Sequence, residues 1–417
     1  MRHKKHLLPI VIACLICLNC GPSSLNADEG HPVAIRFWPE QAVTIETMWN
    51  LHVGLGNNVV KEGLPRIPDM VLRMNQVPSI DGKMTVRIHG WSASHSNEFV
   101  LDRKPNEEEI AWSTAGENSS PSANAVRISR IPVELATAEN QPTLVSLIVI
   151  DGVRIVDTGG ATAESLLTAM KTNSAATESI LAADAILFTA IIPNADSLQS
   201  IADMFHPRII VIPAGCSFDS VGNAKVRVVT HNTLAASASK TKAATETEFV
   251  SLGDAPCQMG DDMAELYARK EAACRISREV FAPLSVEQMN FVPGDGSHTP
   301  RWNAEHMMGR ELGFFSGIYH NFDPAIPVMD LNPKQMPDQY QAAHPDWNGA
   351  EEARQTERVE AFNRRFAYLL DGVDLEGRVK GNPFRSLRAL LVQMDRHYSE
   401  HTGNVEKKMK LPNWPAR

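Results

Sequence analysis

Hydrophobic positions in the first half of the chain come in short β-branched runs separated by turn residues, a pattern typical of strands. The strands predicted within residues 30–255 are 34–37, 43–48, 84–89, 126–131, 144–150, 153–157, 185–192, 209–212 and 226–229. Helical periodicity at 163–171 and 197–204 interrupts the later strands. Because strands and helices interleave, this half is predicted to be α/β or α+β with two layers or more.

The pattern changes after residue 258, where apolar residues recur every three or four positions, as on the buried face of a helix. Thr299 and Pro300 suit the N-cap and first turn of the second helix. The four predicted helices begin near Asp261, Pro300, Ala350 and Phe384. They predict a four-helix bundle, and the long connection at 322–349 has the length to cover a site.

The composition is that of an ordinary globular protein. The chain has 417 residues, of which 43% are hydrophobic and 21% charged, so wholesale disorder and a fibrous repeat are excluded. This length and the change of pattern predict two domains, at 28–255 and 256–417. The net charge of −9 argues against nucleic acid as a main partner, because phosphate binding needs a concentrated basic face.

Residues 1–27 have the organisation of an export signal. Basic residues precede an apolar run over 7–18, which is too short to cross a bilayer. Cleavage after Ala27 predicts a periplasmic or secreted protein, and a lipid anchor on Cys14 is the alternative. No later segment is apolar enough for a transmembrane span.

Cysteine chemistry is not indicated by the spacing of the cysteines. Such a cleavage leaves Cys216, Cys257 and Cys274, with no Cys-x-x-Cys pair among them. Neither a zinc ribbon nor a disulfide framework is therefore predicted. One bridge, or three structural thiols, are the open alternatives.

Histidine carries the candidate chemistry. His397 and His401 are four residues apart on the last predicted helix, a spacing that suits chelation of one metal ion. Both lie on the apolar stripe of that helix, which consists of Leu387, Leu390, Met394, His397, His401 and Val405. His306 on the second helix is the natural third ligand, and Gly309 and Gly313 are predicted to leave an opening beside it. Three such ligands leave coordination positions for water, as in catalytic sites; hydrogen-bonded core histidines are the alternative.

Other polar residues of this half lie near the histidines in sequence. Glu305 and Glu400 neighbour the candidate ligands but point about 100° away on their helices, so neither is assigned as a catalytic base. His344 lies on the long connection, where an exposed loop position and a place at the mouth of the site are the alternatives.

Two segments resemble motifs of the DinB-like superfamily: residues 299–306, with the sequence TPRWNAEH, and residues 394–401, with the sequence MDRHYSEH. The resemblance covers roughly residues 260–415 and implies a metal-binding four-helix bundle. It also implies one divalent ion, Zn, Ni or Fe, on His306, His397 and His401. Some members are thiol-dependent S-transferases or isomerases that use glutathione, mycothiol or bacillithiol. An exported protein would not readily meet these cytosolic thiols.

The first half resembles, more diffusely, the αββα metallo-β-lactamase fold, through residues 34–48, 68–79, 144–160 and 205–215. The family's metal ligands correspond here to Met74, Gln76, Pro78, Ser79, Gly160 and Gly215. Met, Pro and Gly do not bind a dication as His and Asp do, so the resemblance implies a degenerate scaffold. A different site on His89 and His95 is an alternative.

The sequence therefore predicts a multidomain α and β protein, a metallo-β-lactamase-like domain followed by a DinB-like bundle. The first functional hypothesis is an exported metal-dependent transferase or hydrolase that acts on a small-molecule substrate through the three histidines. The second is a non-catalytic envelope binding protein with a structural metal and a pseudoenzyme domain. A third, catalysis by the first domain, requires ligands that the sequence lacks. Catalytic residues beyond the ligands are not predicted, and the oligomeric state, a dimer included, is open.

Overall fold

The structure, a computed structural model, describes residues 33–38, 42–47, 52–55, 70–72, 84–88, 91–95, 98–102, 124–133, 143–150, 153–159, 161–172, 177, 180–181, 183–189, 193–213, 218–236, 246–255, 259–329 and 340–416. Within these residues the fold is mixed α/β, with two large sheets, a small two-stranded sheet and seven α-helices. The predicted export signal lies outside the described residues, as do Cys216 and Cys257.

The strands occupy most of the described first half. Their bounds are β1 (Val33–Trp38), β2 (Ala42–Glu46), β3 (His52–Leu55), β4 (Met70–Leu72), β5 (Met84–Ile88), β6 (Trp91–His95), β7 (Glu98–Asp102), β8 (Asn124–Val133), β9 (Thr143–Ile150), β10 (Val153–Asp157), β11 (Ala185–Leu187), β12 (Ile209–Ile212), β13 (Ser220–Val221), β14 (Ala224–Lys225), β15 (Arg227–His231), β16 (Thr233–Ala236) and β17 (Glu248–Ala255). All nine strands predicted from β-branched runs are confirmed, although the described strand at 185–192 is shorter.

The helices match the predicted periodicity. Their bounds are α1 (Ala163–Thr172), α2 (Ala195–Phe205), α3 (Asp261–Phe281), α4 (Val286–Met289), α5 (Pro300–Phe322), α6 (Gly349–Phe366) and α7 (Leu387–Lys408), with a 3-10 turn at Ala367–Leu370. The expected start at Phe384 is corrected: Ser386 is the N-cap of α7, and its Oγ accepts a hydrogen bond from the Ala389 N–H at 3.2 Å.

The two large sheets pack face to face. The first has the order β16-β1-β2-β3-β4-β5-β6 and the second β15-β17-β12-β11-β10-β9-β8-β7. Alternate residues of β1, such as Val33 and Ile35, face inward and join Ile155 and Val211 of the second sheet in one core. On the opposite face of the second sheet, α1 and α2 cover a separate core. This half is therefore a helix layer on two stacked sheets.

The long helices cover the remaining face of the first sheet. Ala34 and Ala235, on the outward side of β1 and β16, belong to the same apolar cluster as the cores of α3, α5, α6 and α7. Arg36 donates from Nη2 to the Arg365 carbonyl of α6 at 3.0 Å. The rings of His231 and Tyr368 meet edge-on at 5.1 Å. The layers thus run helices, sheet, sheet, helices.

A fully buried ion pair lies inside the long helices. Lys270 Nζ and Glu311 Oε1 are 2.5 Å apart, and both side chains are 0% exposed. Asn363 donates from Nδ2 to the same carboxylate oxygen at 2.6 Å. The Tyr398 hydroxyl donates to the other carboxylate oxygen. The carboxylate therefore has the hydrogen bonds that a buried charge requires.

Among the described residues, no helix combines the length and the apolar character needed to cross a bilayer. The apolar faces of the long helices are buried in the cluster that they share with the first sheet.

Removing one member of the buried pair is expected to cost more than removing both. Glu311→Leu leaves the Lys270 ammonium uncompensated, so we expect a loss of about 3–5 kcal/mol in the free energy of unfolding, measured by urea denaturation. The double variant Lys270→Met/Glu311→Leu is expected to lose less, because both charges are gone. Glu265→Leu, on the exposed face of α3, is the control and should change little. A double variant less stable than Glu311→Leu contradicts this account.

Candidate metal centre

Helices α5 and α7 carry the three candidate ligands. The Thr299 Oγ1 accepts from the Trp302 N–H at 3.0 Å and fixes the start of α5, so that His306 lies in its second turn. On α7, the apolar stripe predicted from the sequence is buried except at His401, which is half-buried, and it carries His397 toward the interior. The two helix faces therefore bring residues about 90 positions apart to one point.

The three imidazoles form a compact cluster. Each ring contributes one nitrogen to the cluster, and these three nitrogens all lie within 4.8 Å of one another. The ring centroids of His306 lie 5.1 Å from His397 and 5.0 Å from His401, and those of His397 and His401 are 4.5 Å apart. Within the described part of the chain, no acidic side chain or thiol joins this cluster. These three histidines can hold a metal ion.

Burial keeps the cluster uncharged. It lowers the pKa of His306 and of His397 to about 3, and repulsion from His401 contributes to both. Burial also lowers the pKa of His401 to about 4, against the opposing attraction of Glu400. All three rings are therefore neutral at neutral pH, the form that binds a metal ion.

Asn303 sets the tautomer of His401. The amide of Asn303 donates from Nδ2 to the Thr299 carbonyl at 2.8 Å, which identifies Oδ1 as its acceptor atom. That oxygen lies 2.7 Å from His401 Nδ1, so Nδ1 carries the proton and donates it. The lone pair of His401 is then on Nε2, where it is available to a metal ion.

The other two ligands are held without such hydrogen bonds. The Trp302 ring stacks on His306 with centroids 4.4 Å apart and an interplanar angle of 12°. Nδ1 of His306 and Nδ1 of His397 are buried and have no hydrogen-bond partner among the described residues. A buried polar atom without a partner costs about 1–3 kcal/mol. These nitrogens fit a bound cation, which satisfies a lone pair that no protein donor reaches.

The spacing is also close to that of a real site. Imidazole nitrogens bond zinc at about 2.0–2.1 Å, so two of them in tetrahedral geometry lie about 3.4 Å apart. In this cluster the nitrogens lie within 4.8 Å of one another, so each needs to move by only on the order of 1 Å for the three to share an ion.

An open cleft of about 340 Å³ adjoins the cluster. Its walls include His401 with its partner Asn303, and also Trp302, His298, Lys407 and Lys408. At Gly313, one of the two glycines predicted to leave an opening, a Cβ would lie 3.7 Å from the Met329 carbonyl oxygen, an ordinary van der Waals distance. The cleft reaches the cluster at His401.

Three further polar residues named in the sequence analysis, Glu305, Glu400 and His344, are not part of the histidine cluster. Glu305 accepts from the Ala343 N–H at 3.1 Å, and Glu400 is an exposed partner of Arg396 at 3.4 Å. His344 stacks on Trp347 with centroids 4.0 Å apart and is not among the residues of the cluster or of the cleft. Asn303 was missed, and its position three residues before His306 was the one available signal.

The first half offers less to test. The positions that correspond to the metallo-β-lactamase ligands lie outside the described residues: Met74, Gln76, Pro78, Ser79, Gly160 and Gly215. His89 also lies outside them, as does the side chain of His95 at the end of β6. Asp157, at the end of β10, is buried, and burial raises its pKa to about 6 against hydrogen bonds from Gly159 and Thr189. Cys274 is a buried free thiol, and burial raises its pKa, which disfavours the reactive thiolate form.

No family model matches this chain, and no curated protein matches it either.

Removing the Asn303 amide is expected to weaken metal binding. Asn303→Ala frees His401 to change tautomer and ring orientation, so we expect the affinity for Zn²⁺ to fall about 10- to 100-fold, measured by competition with a chelator. Asn321→Ala is the matched control: its Nδ2 also donates to a carbonyl four residues earlier on α5, at 2.7 Å, but outside the cluster. Equal affinities in the two variants contradict the role of Asn303.

The lowered histidine pKa values make the metal-free fold sensitive to acid. The ordinary pKa of a histidine is 6.5. Between that pH and about pH 4, the imidazoles are protonated in the unfolded chain but stay neutral in the folded one. The stability from neutral imidazoles is therefore complete above pH 6.5 and is lost as the pH falls toward the folded pKa values. We expect the free energy of unfolding to fall more steeply in this range for the wild type than for His306→Gln/His397→Gln/His401→Gln, by urea denaturation. Parallel curves rule this out.

Proposed function

We propose that this chain is an exported metal-dependent enzyme, a transferase or hydrolase that acts on a small molecule at His306, His397 and His401. The observation that carries the proposal is the convergence of three neutral imidazoles beside an open cleft. The order along the chain supports a DinB-like bundle, since one histidine lies on the second long helix and a His-x-x-x-His pair on the last. A Zn, Ni or Fe divalent ion suits this all-nitrogen donor set.

The protein residues have distinct parts in this proposal. The three imidazoles hold the ion, Asn303 keeps the Nε2 lone pair of His401 directed to it, and Trp302 fixes the plane of His306. When bound, a divalent ion supplies Lewis-acid polarisation of a substrate heteroatom or activation of water. Three protein ligands leave at least one position for that substrate, whereas a structural site is closed by four.

The first half enters the proposal as a scaffold of the metallo-β-lactamase type. The layer order of helices, sheet and sheet in that half, with the long helices on the outer face, supports an αββα arrangement. In this arrangement α3, α5, α6 and α7 occupy the place of the second helical layer. The proposed role of the first half is therefore to hold the bundle and not to perform chemistry.

Cobalt substitution tests whether the site is catalytic. Co²⁺-loaded protein is expected to bind one ion per chain, and its visible absorption bands are expected to shift when azide or 2-mercaptoethanol is added, because a three-histidine site has an open position. His397→Ala is expected to lose the ion, since two imidazoles are too few to retain it. His320→Gln on α5, whose ring contacts the Ile326 carbonyl, is the control and should behave as the wild type.

Two results would contradict the proposal in different ways. A chain that takes up no Co²⁺, Zn²⁺ or Ni²⁺ excludes the metal centre itself. Binding of one ion with bands that neither azide nor the thiol shifts identifies a closed site, which is what the non-catalytic envelope protein requires.

A further inference from the structure

The cleft beside His401 has an unusual charge for a protein whose net charge is −9. Lys407 and Lys408, at the end of α7, both line it, and Asp295 is its one carboxylate among the described residues. The Asp295 carboxylate already accepts from the Ser297 N–H at 2.9 Å. Within the cleft, positive charge therefore exceeds negative charge.

Lys408 differs from Lys407 in being buried. Its side chain is 6% exposed, although an ammonium normally remains in water. Its Nζ donates to the Asn404 carbonyl at 3.2 Å, and within the described ranges no carboxylate lies within ion-pair distance of it. Asp295 of the same cleft attracts the Lys408 ammonium from beyond ion-pair distance, yet burial and Lys407 still lower the pKa of Lys408. An anion bound directly to Nζ would therefore stabilise the charged form.

The size of the cleft limits what that anion belongs to. A volume of about 340 Å³ is at the lower end of the roughly 300–1,000 Å³ range of small-molecule pockets, so the cleft has room for one small molecule. The same cleft is lined by His401 and the Trp302 ring. A molecule in it can therefore contact Lys408 and the candidate metal centre at the same time.

We propose that this cleft binds the anionic end, a carboxylate or phosphate, of a small-molecule substrate through Lys408, with the remainder of the substrate against Trp302 and toward His401. The inference rests on the proposed function for the meaning of "substrate", since it assigns the class of molecule that this site takes. Lys407, which is exposed, adds attraction for the same group without being its direct partner.

The cleft can be tested apart from the metal. Acetate, inorganic phosphate and neutral acetamide are titrated separately into metal-free and Zn²⁺-loaded protein while the indole N–H signal of Trp302 is followed by NMR, assigned from the spectrum of Trp302→Phe. At least one of the two anions is expected to shift the signal in both forms, and the one that binds tighter identifies the carboxylate or phosphate class. Acetamide is expected to leave the signal in place.

Variants assign the effect to Lys408. Lys408→Met is expected to raise the dissociation constant of the anion about tenfold or more, because a charge-assisted hydrogen bond is lost. Lys408→Arg keeps the charge and is expected to retain binding, and Lys410→Met, an exposed lysine outside the cleft, is expected to match the wild type. If Lys408→Met does not fold, the contrast between the anions and acetamide in the wild type decides the question.

The outcomes separate this inference from the proposed function. Anion binding that depends on Lys408 in a protein that takes up no metal supports the cleft and removes the metal centre. Anion binding that appears only with Zn²⁺ and is unchanged in Lys408→Met overturns the cleft and leaves the metal centre standing. No shift with either anion in either form also overturns it.

Discussion

The structure of the candidate site depends on one constraint: three imidazoles, one buried and two half-buried, lie together and must stay uncharged there. Burial lowers the pKa of each ring to about 3 or 4, and a positive charge on one of them would repel the others. Such a cluster is unfavourable for a fold unless its nitrogens have partners. Asn303 supplies one for His401, while Nδ1 of His306 and of His397 have none among the described residues. A shared cation is the arrangement that explains the burial, the neutrality and the convergence together.

The second constraint is the rigidity that such a site needs. The ligands lie on α5 and α7, whose apolar faces share one cluster with α3, α6 and the outer face of the first sheet. The Lys270–Glu311 pair, with Asn363 and Tyr398, links four helices through hydrogen bonds to one carboxylate. Ligands on packed helices hold their geometry better than ligands on loops. In this view the sheets contribute to function indirectly, by fixing the bundle from one side.

Much of this was predictable from local patterns, and the exceptions have physical causes. The apolar stripe containing His397 and His401 follows from a spacing of three and four residues, and His306 follows from a capped helix start, so the trio could be found without coordinates. Two things could not. The Asn303–His401 hydrogen bond depends on how two helices are rotated against each other, which no periodicity specifies. The cleft at Lys408 depends on Asp295, Ser297 and His298, which approach the end of α7 from far away in sequence.

The central claim is that His306, His397 and His401 bind one divalent ion and leave part of its coordination open. X-ray absorption spectroscopy at the zinc edge of the Zn²⁺-loaded protein tests it most directly, because it counts and identifies the atoms bound to the ion. We expect three imidazole nitrogens at about 2.0–2.1 Å and at least one further oxygen or nitrogen from solvent. We also expect fewer imidazoles in His306→Ala. Sulfur atoms in the first coordination shell, or an imidazole count that His306→Ala leaves unchanged, would contradict the account.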